Sequence, residues 1–82
     1  MTASAQVSIY PLRQKHIGPA VQTVRGALER HGLTAHVGPM STLATGESDA
    51  LFRALAEAFA TAASSGEVVM TVTISNSCPV SS

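Results

Sequence analysis

Polar and apolar residues alternate along Gln6-Val7-Ser8-Ile9-Tyr10, and the alternation stops at Pro11. A period of two predicts a strand with Val7 and Ile9 on one face and Ser8 and Tyr10 on the other. Arg13 to His16 reads as a polar connection. Gly18-Pro19 then opens a helix, with proline in the first turn, where its missing N–H does no harm. Ile17, Ala20, Val21, Val24, Leu28 and His31 recur at spacings of three and four, which makes one apolar stripe. Gly32 stands where a left-handed cap is wanted, and Leu33 is placed to pack back over the helix end.

Thr34-Ala35-His36-Val37 is a short β-prone run stopped by Gly38-Pro39, and Met40-Ser41-Thr42-Leu43-Ala44-Thr45 is a second run stopped by Gly46. Joined through the Gly-Pro break, the two form either a hairpin or two strands bent at a bulge. Glu47-Ser48-Asp49 offers capping oxygens and favourable charge for a second helix. Its apolar stripe is Leu51, Phe52, Leu55, Ala58, Phe59 and Ala62, and frequent alanine favours helix and close packing. Ser64-Ser65-Gly66 ends it. Glu67 to Ser75 then alternates over nine residues, the clearest strand in the chain, closed by Cys78-Pro79.

Strand, helix, strand, strand, helix, strand is the order of a ferredoxin-like βαββαβ sandwich: an α+β fold with an antiparallel sheet covered by two helices on one face. Residues 1–5 are expected to be a disordered N-terminus, 6–79 the ligand-binding domain and 80–82 a tail. Val7, Ile9, Val68, Met70, Val72 and Ile74 are expected under the helices. The opposite phase, Ser8, Tyr10, Val69, Thr71, Thr73 and Ser75, is left on the bare face. From the middle strand, either Met40, Thr42 and Ala44 or Ser41, Leu43 and Thr45 join that face; the size of Leu43 argues for the first set.

The bare face is rich in small hydroxyls and carries no charge, whereas a solvated sheet face ordinarily carries Lys, Glu and Arg. Two explanations stand together. One is a subunit interface, where charge depletion is normal. The other is a shelter for a small, weakly charged heterocycle, with hydroxyls for hydrogen bonds and Tyr10 or Met40 for flat or soft contact.

Composition narrows the field. The 82 residues hold five basic and five acidic side chains, so there is no positive excess to grip a phosphate backbone. Hydrophobic residues at 45% against 12% charged set the chain apart from disordered sequences. No apolar run approaches the ~18 residues of a membrane helix, and Met1 to Gln6 lacks the features of a signal peptide. With one cysteine, no internal disulfide is expected, which suits a reducing cytoplasm. The aromatics are only Tyr10, Phe52 and Phe59. So small a core gains from a second subunit, and a homodimer or higher homo-oligomer is expected.

Three segments carry a resemblance: Val7-Ser8-Ile9-Tyr10-Pro11-Leu12; Gly38-Pro39-Met40-Ser41-Thr42 with Gly46; and Thr73-Ile74-Ser75-Asn76-Ser77-Cys78-Pro79. Together, in this order, they resemble the YkoF-like thiamine/hydroxymethylpyrimidine-binding family, from about Gln6 to Pro79. The resemblance implies a ferredoxin-like fold and binding of thiamine, or its pyrimidine portion, with no catalytic step. Two such domains in one chain is the family's best-known form, so a dimer would supply the second half here. Ser8, Tyr10, Met40, Ser41, Thr42, Thr71, Thr73 and Asn76 are the expected ligand-binding residues. Hydroxyl and amide groups serve the aminopyrimidine as both donor and acceptor. A thiazolium cation suits the face of Tyr10, which equally serves as packing, or a carboxylate such as Glu47 or Asp49, for which helix capping is the plainer role. No cofactor is expected beyond the ligand itself.

Other chemistries find less support. Cys78 lacks a neighbouring base in sequence and reads as a structural thiol. His16, His31 and His36 show no metal-ligand spacing, and His31 reads as a helix cap. RNA recognition wants strand aromatics beside a basic surface. An acylphosphatase-type hydrolase wants an anion cradle, for which Arg13 is the nearest candidate. The main alternative is an oligomeric ligand-sensing or interaction module without thiamine affinity.

Overall fold

Alternation along the first strand sets the orientation of the whole sheet. The computed structural model describes residues 1–13 and 16–77, in the order β1 (Thr2–Pro11), α1 (Gly18–Arg30), β2 (Thr34–Val37), β3 (Thr42–Glu47), α2 (Ser48–Ala63) and β4 (Val68–Ser75). Odd residues of β1, from Ala3 to Ile9, are buried, and even ones turn away. The four strands form one antiparallel sheet in the order β2-β3-β1-β4. This is the expected ferredoxin-like sandwich, with both helices against the face that holds Ala3, Ala5, Val7 and Ile9.

β1 begins earlier than the sequence suggested. Residues 2–5, expected to be disordered, extend the strand, and Ala3 and Ala5 enter the core. The expected closure at Cys78-Pro79 and the tail, Val80 to Ser82, lie outside the described residues, as does part of the Arg13 to His16 connection.

Of the two linkages weighed for the middle runs, the hairpin forms: β2 pairs with β3 from Val37↔Thr42 to Thr34↔Thr45. Met40 and Ser41 belong to its turn, not to the strand, and the Gly38 N–H donates to the Ser41 carbonyl at 2.8 Å. β3 runs through Gly46 to Glu47. Its phase is the reverse of the one favoured by the size of Leu43. The register Val7↔Thr42 and Ala5↔Ala44 turns Thr42 and Ala44 toward the helices and puts Leu43 and Thr45 on the bare face.

Small residues explain that choice. The helix side of the sheet is lined by Ala3, Ala5, Ala44 and Gly46, and the helices answer with Ala27, Ala54, Ala58 and Ala62. The layers therefore approach closely, with Val24, Leu28 and Leu51 as the main filling. A Cβ on Gly46 would overlap the Leu33 side chain, so glycine is what lets Leu33 seat there. Leu33 itself is held by a Schellman cap: Gly32, at φ 81°, donates its N–H to the Glu29 carbonyl, and the Leu33 N–H reaches Leu28.

The same closeness excludes the phenylalanines. Phe52 and Phe59, expected in the buried stripe of α2, are 59% and 45% exposed, and the smaller Leu51, Ala54, Leu55, Ala58 and Ala62 take the inner positions. Glu47 stands at the N-cap of α2 without a side-chain cap bond; its carboxylate instead accepts from the Met1 amine at 2.9 Å. Across the helix seam, Arg30 and His31 both donate to Glu57, the His31 Nε2 at 2.9 Å.

Candidate functional site

Register converts the bare face into rows of side chains running across the strands. One row is His36, Leu43, Gln6 and Thr73, and the next toward Pro11 holds Ser8 and Thr71. Beyond it Tyr10 stands beside Val69, and on the other side lies Thr34, Thr45, Ser4 and Ser75. β3 begins opposite Val7, so the Gly38–Ser41 turn, not a strand, flanks β1 at Ser8.

Hydrogen bonds fix half of this surface. The Ser8 hydroxyl donates to the Met40 carbonyl at 3.2 Å, Gln6 Nε2 donates to the Ser41 hydroxyl at 3.2 Å, and Ser4 and Thr45 share a bond at 3.3 Å. These three tie β1 to β3 and to the turn. The hydroxyls of Thr71 and Thr73 on β4, and of Tyr10 near the end of β1, have no protein partner among the described residues. Half of the face is thus preorganised and half is available. Its charge lies at the ends: beyond Tyr10 and Val69, Arg13 pairs with Glu67 at 2.9 Å, and at the opposite corner Glu47 pairs with the amine of Met1. That amine is held above its ordinary pKa, first by the hydrogen bond to Glu47 and then by its charge.

The eight residues singled out from sequence do not form one cluster. Ser8, Met40 and Ser41 meet at the turn, with Thr71, Thr73 and Tyr10 on adjacent rows. Thr42 points to the helix side and is only 3% exposed. It lines a cavity of about 40 Å³ between the turn, Val7 to Ile9 of β1, and Ile17 and Val21 of α1. A space that small suits water rather than a ring, since small-molecule sites run to a few hundred Å³. Met40, 85% exposed, stands at its mouth. Asn76 lies at the opposite end of the sheet, beyond Ser75↔Ser4, about 17 Å along the chain direction from the Ser8 row. There it borders an open hollow of about 270 Å³ with Ser4, Thr45 and Ser75. Its amide donates toward the Met1 sulfur at 3.5 Å.

Gln6 is the residue that sequence reading passed over. It occupies the centre of the bare face, and its phase, shared with Ser8 and Tyr10, was the available signal. His36 joins the same row from β2. Among the described residues no group of three or more acidic, histidine or cysteine side chains is placed to hold a metal, and no helix is long and apolar enough to cross a membrane.

With this geometry in place, comparison with known proteins gives the class. The chain belongs to the thiamine-binding protein family, whose model matches residues 5–77. A solved structure from Streptococcus pneumoniae is 30% identical, with a TM-score of 0.84 over 99% of this chain and 92% of that one. A hypothetical protein from Methanocaldococcus jannascii shares the fold at 24% identity, with a TM-score of 0.85 over 94% of this chain and 81% of that one. So does a protein from Thermotoga maritima named for thiamine biosynthesis or salvage, at 14% identity and a TM-score of 0.77 over 90% and 82% of the two chains. No curated protein matches the chain.

Proposed function

We propose that this protein binds thiamine, or its hydroxymethylpyrimidine portion, on the bare face of the sheet and does not transform it. The observation that carries this reading is the uncharged surface around Ser8 and Thr73, where hydroxyls with no partner among the described residues adjoin hydrogen-bonded ones. Thr71, Thr73 and Gln6 can each donate and accept, as the aminopyrimidine requires. Tyr10, exposed at the edge of the same surface, offers its ring face to the thiazolium cation. The family's name favours binding over catalysis.

An open sheet face covers one side of a flat ligand, whereas small-molecule sites enclose about 70–90% of theirs. A second copy laid face to face over these rows supplies the missing cover, and a homodimer is part of the proposal. Thr42 and Asn76 then act outside the ligand contact, Thr42 by supporting the turn beneath Ser41. Calorimetric titration with thiamine and with hydroxymethylpyrimidine tests the reading. Saturable heat at micromolar concentration is expected for at least one. Absence of heat for both, from protein shown to be folded by circular dichroism, overturns it.

A further inference from the structure

Two polar side chains of β1 have part of their hydrogen-bonding capacity committed to the Gly38–Ser41 turn. A backbone carbonyl only accepts, so the Ser8 hydroxyl, 3.2 Å from the Met40 carbonyl, spends its single proton there. Lone pairs are what Ser8 has left for a ligand. Gln6 is held by the same turn, its Nε2 donating to the Ser41 hydroxyl at 3.2 Å. In a planar amide the oxygen lies on the opposite arm from the nitrogen. With Nε2 drawn to the β3 side, Oε1 turns toward β4, where Thr73 stands opposite Gln6. No protein donor reaches Oε1 among the described residues.

Gln6 and Ser8 share one face of one strand, so the two open acceptors adjoin. Each has a threonine across the pairing with β4, Thr73 for Gln6 and Thr71 for Ser8. The threonine hydroxyls, without a protein partner among the described residues, can turn to donate or to accept. The surface thus has a polarity: its fixed groups accept, and its adjustable ones answer whatever the ligand presents beside them.

A primary aromatic amine matches the fixed pair. Its two N–H bonds diverge in the ring plane, which sets their acceptors about 5 Å apart at ordinary hydrogen-bond length. The Cα atoms of Gln6 and Ser8 are about 7 Å apart along the strand, a gap that the long Gln6 side chain can narrow. Thr71 or Thr73 then donates to the ring nitrogen next to the amine. A ring carbonyl in the amine's place sets its own lone pairs against both acceptors and leaves them unpaired, which is how a polar site rejects an analogue.

We infer that Gln6 and Ser8 together select a 4-aminopyrimidine over its 4-oxo counterpart, and that the Gly38–Ser41 turn is what fixes both as acceptors. The inference rests on the thiamine reading above and adds which edge of the ring is recognised and by which residues. Ser41 and the Met40 carbonyl act through Gln6 and Ser8, as positioning groups.

Parallel calorimetric titrations with thiamine and with oxythiamine, its 4-oxo analogue, test this in the wild type and three variants. The wild type is expected to bind thiamine about twenty-fold more tightly, the equivalent of two hydrogen bonds of ordinary strength. Gln6→Leu and Ser8→Ala should each cut that ratio about five-fold, since each removes one acceptor. Gln6→Glu keeps an oxygen on the outward arm and lets the Ser41 hydroxyl donate to the other, so it should retain the ratio. The ratio decides because a general disturbance of the sheet weakens both ligands alike. Equal affinities in the wild type, an undiminished ratio in either Gln6→Leu or Ser8→Ala, or a ratio lost in Gln6→Glu overturns the inference and leaves thiamine binding standing. Absence of heat for both compounds from folded wild type rejects the thiamine reading, and this inference with it.

Discussion

A single strand serves both faces of this sheet, and they obey different rules. Toward the helices, β1 presents Ala3, Ala5, Val7 and Ile9, packed so closely that even a glycine at position 46 is constrained by Leu33. Toward the bare side it presents Ser4, Gln6, Ser8 and Tyr10, joined sideways to β3 and the turn but open above. The covered face is specified by volume, where an added or missing methylene is felt throughout. Hydrogen-bonding capacity specifies the bare face, where volume is free. Changes on the first should act on stability, and changes on the second on recognition.

The largest test of that division is Leu28→Ala. Leu28 is fully buried, and its truncation should cost about 3 kcal/mol, measured by denaturant unfolding. A loss below ~1 kcal/mol would mean that the helix layer is not packed as described. Gly46→Ala sharpens the contrast by adding one methyl against Leu33; a cost of about 1–3 kcal/mol is expected. On the other face, Thr73→Val should shift stability by less than ~0.5 kcal/mol while weakening ligand binding about five-fold, as loss of one hydrogen bond would. If stability falls sharply and binding persists, the roles of the faces are exchanged.

Smallest of all is the effect at the helix seam, which belongs to neither face. The Glu57 carboxyl is held below the usual carboxylate range, first by the Arg30 hydrogen bond and then by that from His31. Its contribution is present above that range and is lost as pH falls through the lowered value. Glu57→Gln should therefore melt slightly below the wild type at neutral pH, and the gap should close on acidification. A gap independent of pH would contradict the ion-pair account.

Much of the fold was legible because two signals agreed. In β1 the alternation named the buried phase correctly, and Gly32-Leu33 announced the end of α1 as it stands. In β4 it named the helix-facing phase, but Val68, Met70 and Val72 are only half-buried and Ile74, expected under the helices, is 37% exposed at the uncovered sheet edge. What escaped was set by tertiary distance. Leu43 looks like core beside Ala44, but pairing to β1 and the shallow gap under the helices favour the alanine. For the same reason Phe52 and Phe59, apolar at the right spacing, were displaced by smaller neighbours. Ala3 and Ala5 are too weakly hydrophobic to advertise a strand on their own. The candidate site was half visible: Ser8, Thr71 and Thr73 follow from phase alone, whereas their union with Met40 and Ser41 depends on a turn geometry that periodicity does not encode.

Methyl and amide NMR during titration with thiamine looks at the central claim most directly. Shifts concentrated on Gln6, Ser8, Tyr10, Ser41, Thr71 and Thr73, with Leu28 and Leu51 nearly still, are the result predicted here. Shifts centred on the helices, or on Asn76 and its hollow with the Ser8 row unmoved, would contradict it.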